Sequence, residues 1–232
     1  MDKILDKIIS ANPNLFISDS DEIVDWSEWR TYFPLDTTLI AKLFFFVQAL
    51  MRAGFVPRWV HPSNIVLTRS GRIKISPQYG HLPGSTDYYP LIVADRLYDD
   101  PLMLFFDASN PASDADYDYF ASDHLVARIN LIRQLFGPNA VTDWKTTISD
   151  PKNDYWTIHR LEQNVKYATA VMALCIITGK PSVNIDKADL KTVSSSALNA
   201  VRVFMSINPL DRRDYTIQDW LGVFLKIKKM AC

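Results

Sequence analysis

The chain has 232 residues, 48% of them hydrophobic and 22% charged, enough for one full core or two small ones in an ordinary globular protein. A formal net charge of -1 gives no ground for expecting nucleic acid or an anionic membrane as a partner. The two cysteines, Cys175 in an apolar run and Cys232, show neither a disulfide framework nor metal-ligand spacing, which points to a reducing compartment.

Residues 1–36 begin with a short helix, Ile4, Ile8 and Ile9 being apolar at helical spacing. An acidic link from Ser18 to Asp25 and the aromatics Trp26, Trp29, Tyr32 and Phe33 follow, and the whole reads as a small amino-terminal arm, residues 1–35. No signal-peptide stretch is expected, and the strongest apolar run, Leu39 to Val47, is interrupted by Lys42 and too short to span a bilayer. From Asp36, a fair N-cap, to Gly54, a fair C-cap, the sequence is apolar almost all round, as a buried helix requires. Phe44 to Phe46 read as a core stripe rather than a ligand groove.

The stretch from Arg58 to Gly80 passes through the polar loop Pro62-Ser63-Asn64 into a hairpin. Ile65-Val66-Leu67 is its first strand, Thr68 to Gly71 its turn and Ile73-Lys74-Ile75 its second strand. Asp114, Asp116 and Asp118 alternate like the opening of a calcium loop, but Tyr119 stands where the glycine is needed and Leu125 where the bidentate glutamate is needed, so a solvated loop is expected there. Residues 122–136 read as an amphipathic helix presenting Leu125, Val126, Ile129, Ile132 and Leu135, ended by Gly137-Pro138. Tyr167 to Pro181 is a second buried helix with Gly179 and Pro181 as stop signals. Leu190, Val193, Ala197, Val201 and Phe204 predict one amphipathic helix, and Thr216 with Asp219 caps a last one, with Lys226, Lys228 and Lys229 near its end.

Three of these stretches, in this order, resemble the carboxy-terminal lobe of eukaryotic-type protein kinases. The first is the loop and hairpin, similar to H-R-D-x-x-x-x-N followed by a strand pair and D-F-G. With Asn64 as the loop asparagine, Arg58 matches the arginine, Pro57 replaces the histidine, Trp59 stands in the place of the catalytic aspartate and His61 in that of the phosphate-contacting lysine. Pro77-Gln78-Tyr79 replaces the metal-binding motif before Gly80. The second is the helix ending in Thr178-Gly179-Lys180-Pro181, where Val165 takes the position of the aspartate that props the catalytic loop. The third is Val203 to Leu221, with Pro209 and Arg212 in a P-x-x-R arrangement. Asp150-Pro151-Lys152 is similar to a worn A-P-E.

An amino-terminal lobe needs roughly 60 residues at least, and no Gly-rich loop or V-A-I-K strand precedes the hairpin. The resemblance therefore implies a mainly α, kinase C-lobe-like domain over residues 36–232, with one small β-hairpin, no N-lobe and an insertion at about 81–150. It further implies a pseudokinase with no catalytic residue, no metal site and no cofactor, acting as a protein-interaction or structural subunit. Its partner would be another protein, bound around Trp59, His61, Gln78 and Tyr79 where the missing lobe would sit, with Trp59 serving either as a plug or as a partner anchor. Neither a nucleic-acid partner nor a membrane span is expected. The setting is intracellular, in cytoplasm or nucleus, or in the virion of a large DNA virus. The alternative is a nucleotide binder or atypical phosphotransferase completed by a partner's lobe, with Asn64 on a metal and His61 on a phosphate or acting as a base.

Overall fold

The computed structural model describes residues 2–57, 60, 64–77, 80–81, 130–139, 160–180 and 184–206. Helix α1 spans Asp2–Ala11, strand β1 Ile23–Val24, the single turn α2 Trp29–Tyr32, and α3 Asp36–Arg52. Strands β2 (Val56–Pro57), β3 (Ile65–Thr68), β4 (Ile73–Ile75) and β5 (Gly80–His81) follow. Residues 130–136 form α4; α5 is Arg160–Thr178, α6 Lys187–Thr192 and α7 Ser195–Phe204. Helix predominates among the described residues, as the sequence predicts.

Helix α3 buries Leu39, Ile40, Leu43, Phe46, Val47 and Leu50, and packs on α5 and α7. Its partner α5 is buried continuously from Tyr167 to Ile176, including Ala168, Ala170 and Ala173. Small side chains at those positions permit close approach of helices already apolar on most faces. Cys175 is a buried thiol of this helix, as expected. On α4, Ile132 and Leu135 are buried with Leu131, and Gly137 ends the helix at φ +98°. Residues of the expected arm, Phe16, Val24, Trp29 and Phe33, lie in the same hydrophobic cluster as α3, α5 and the hairpin. Trp29, 1% exposed, is among its largest fully buried side chains.

The small sheet differs from the single hairpin expected. It has three antiparallel strands in the order β1-β3-β4, because Ile23 and Val24 pair with Thr68 and Leu67. A separate two-stranded pair joins β2 to β5. Three helix boundaries also differ, α5 beginning at Arg160 rather than at Tyr167. The apolar series Leu190 to Phe204 is buried throughout, but Val193 is extended and splits it into α6 and α7. Each piece carries its own cap: Asp186 and Asp189 form a capping box on α6, and Ser194 accepts from the Ala197 N–H on α7. Asp36 is the first residue of α3 rather than its N-cap, which is Leu35. Its carboxylate is engaged elsewhere, accepting from Arg30 at 2.6 Å and from the Ser194 N–H at 2.8 Å.

Candidate functional site

Helix α3 ends in a turn that aims the chain at the site. Gly54 adopts φ +81°, the Phe55 N–H donates to Leu50 and the Gly54 N–H to Met51. This closes the last carbonyls of the helix and drops Phe55 into the core beside Phe16, ring edge to face at 5.1 Å. The chain leaves as β2, whose register with β5 sets Val56 opposite His81 and Pro57 opposite Gly80. The residues entering the loop before the hairpin and those following the Pro77-Gln78-Tyr79 stretch are thereby held side by side.

Between them stands the hairpin, with Ile65 opposite Ile75, Val66 opposite Lys74 and Leu67 opposite Ile73. Its turn is closed by the Thr68 N–H donating to Arg72 and the Gly71 N–H to Thr68, with Gly71 at φ +78°. Ile65, Leu67, Ile73 and Ile75 enter the core, as alternation dictates. At the open end the Ser76 N–H donates to the Asn64 carbonyl at 3.2 Å, extending the ladder by one rung. Asn64 is 5% exposed, and Pro77 is half-buried just past β4. Below, α5 packs against β2, and Val165 is buried. The Thr169 hydroxyl donates to the Val165 carbonyl.

Of the sequence-predicted site residues, Asn64 and Pro77 are thus placed, both at the hairpin's open end, Asn64 before β3 and Pro77 after β4. Arg58, Trp59, His61, Gln78 and Tyr79 lie outside the described residues, as do the Asp114 to Asp118 loop, Asp150-Pro151-Lys152 and Pro209, Arg212, Thr216 and Asp219. Among the described residues no group of three or more His, Cys, Asp or Glu side chains is arranged to hold a metal ion, and no single helix is long and apolar enough to cross a membrane.

The feature that sequence reasoning missed is the charge pairing on the outer side of the hairpin. Lys74 donates to the Asp21 carboxylate at 2.7 Å, with 8% and 13% of the two side chains exposed. The same Asp21 oxygen accepts from the Ser18 N–H and hydroxyl, both at 2.8 Å. The Lys74 hydrogen bond, followed by those from Ser18, holds the Asp21 carboxyl at about 2, below the ordinary 3.8. Arg72 donates to Asn14 at 2.9 Å, and Arg69 approaches Glu22 at 3.4 Å on the exposed rim. The Ile-Lys-Ile alternation tells only that Lys74 faces away from the core, which a solvated lysine satisfies equally well, so its acidic partner could not be read from the local sequence.

No family model, curated protein or solved structure matches the chain.

Proposed function

We propose that the chain is a catalytically inactive, protein-kinase-like module of C-lobe type that serves as a protein-interaction or structural subunit. The observation that carries this reading is the β2–β5 pairing around the hairpin. Phosphoryl transfer requires the catalytic loop and the metal-binding loop to act on one nucleotide, so the two must lie side by side. A pairing of Pro57 with Gly80 supplies that adjacency, while the sequence puts Trp59 and Pro77 where the two carboxylates would act. Since catalysis of this reaction is mainly positioning and electrostatic stabilisation, loss of both carboxylates removes the greater part of what the fold contributes. Val165, buried and apolar, fits a loop that no longer needs an acid beneath it.

The surface for a protein partner is assigned to Trp59, His61, Gln78 and Tyr79, in a reducing intracellular or virion setting. The alternative is a nucleotide site completed by a partner's lobe, with Asn64 on a metal ion. The test is phosphate release and phosphoryl transfer from ATP with magnesium. Rates equal to those without protein are expected. Turnover that His61→Ala abolishes would overturn the proposal.

A further inference from the structure

The outer face of the hairpin, Val66 and Lys74, points away from the apolar core, yet Val66 is 8% and Lys74 6% exposed. Part of the cover is the chain's own amino-terminal segment. It is anchored on the β4 edge, where Phe16 bridges Ile75 and the Ile17 N–H donates to the Ile75 carbonyl at 3.0 Å. It is anchored again on the β3 edge, where Ile23 and Val24 pair with Thr68 and Leu67 and the Arg69 N–H donates to the Glu22 carbonyl. Residues 18–22 cross from one edge to the other, and Asp21 reaches down to Lys74.

The two sides are complementary in charge. The crossing segment, Ser18-Asp19-Ser20-Asp21-Glu22, carries three acids, and the hairpin carries Arg69, Arg72 and Lys74. Phe16 and Val24 are core residues, but Ser18, Asp19, Ser20 and Glu22 are exposed. Lifting the middle of the segment therefore breaks few contacts beyond the Asp21–Lys74 pair. It also uncovers the Lys74 ammonium beside Val66, leaving three cations, Arg69, Arg72 and Lys74, on one hairpin to attract an incoming acidic segment. We propose that the outer face of the β3–β4 hairpin, centred on Lys74 and flanked by Arg69 and Arg72, is a docking surface for an acidic peptide segment of a partner, and that residues 18–22 occupy it in cis as an autoinhibitory contact.

The probe is a synthetic peptide with the sequence of residues 16–24, titrated by fluorescence anisotropy onto the full chain. A tethered occupant competes at an effective concentration of about millimolar, so the wild-type protein should bind little at ~100 µM peptide. Asp21→Asn, which removes the cis carboxylate, should tighten binding at least ~10-fold, and added salt should weaken it. Asp21→Asn combined with Lys74→Met should lose that gain, as should a peptide carrying Asp21→Lys. A folded Asp21→Asn protein that binds no better than wild type, or a gain that survives Lys74→Met, would overturn the proposal. Should Asp21→Asn not fold, the wild-type protein with ~10 mM peptide replaces it, a concentration able to compete with the tether. The amide signals of Ile17 and Arg69 should then move, and unmoved signals would overturn the proposal.

Discussion

The carboxylate of Asp36 accepts a hydrogen bond from the backbone N–H of Ser194, 158 residues further along the chain, at 2.8 Å. Its other oxygen holds Arg30 at 2.6 Å. One side chain thus ties the turn α2, the start of α3 and the N-cap of α7 together, and its acid also suits the positive end of α3. Asp36→Ala is expected to destabilise the protein by about 2 kcal/mol, the range for a hydrogen bond to a charged group. Asp36→Asn should lose roughly half of that, because its amide oxygen still accepts from Ser194 while the partly exposed Arg30 pair is worth little. Urea denaturation of the two variants measures both values.

Acid should loosen the amino-terminal segment at residues 18–22 by protonating Asp21. The Asp21 carboxyl titrates near 2 when folded against 3.8 ordinarily, so its stabilisation is complete above about 3.8 and is lost as the pH falls through 2. Lys180 and Asp189, 2.6 Å apart, behave at both ends of the scale. The hydrogen bond between them lowers the Asp189 carboxyl and raises the Lys180 ammonium. The lysine's share is present below 10.5 and disappears as the pH rises through its raised folded value. Hydrogen exchange at the Arg69 amide between pH 4 and pH 2 should reveal the first effect, and Lys74→Met should flatten that dependence.

Gly54 tests the turn that aims the chain at the site. Its φ of +81° disfavours any side chain, but among the described residues an added Cβ would meet only the Ile8 Cδ1, at 3.8 Å. Gly54→Ala should therefore cost about 1 kcal/mol from backbone strain alone, and Gly54→Asn less. A loss of several kcal/mol in urea unfolding would mean that packing, rather than φ, sets the requirement.

Much of this fold was legible in the sequence because its signals are local. Helices α3 and α5 are apolar on most faces and end at Gly54 and Gly179, both with positive φ, and the hairpin shows alternation around a glycine turn. Strand β1 was hidden because two residues carry no period, and its stabilisation comes from Leu67 and Thr68, more than forty positions away. The break between α6 and α7 was masked by Val193, an apolar residue at helical spacing that is buried although its backbone is extended. Asp36 looked like a cap because an acid beside a helix start has that meaning locally, while its true partner Ser194 is distant. At the site, Asn64 and Pro77 fall in the loop and hairpin region marked out by the sequence, yet the Asp21–Lys74 pair linking the acidic segment to β4 depends on a contact across 53 positions that no local pattern encodes.

The central claim, a kinase-like module without nucleotide chemistry, is tested most directly by the melting temperature with and without ATP, ADP and magnesium, because a ligand that binds only the folded state must raise it. The account predicts no shift at millimolar nucleotide. A magnesium-dependent rise that Asn64→Ala abolishes would contradict it and would mean that a working nucleotide site survives beside the hairpin.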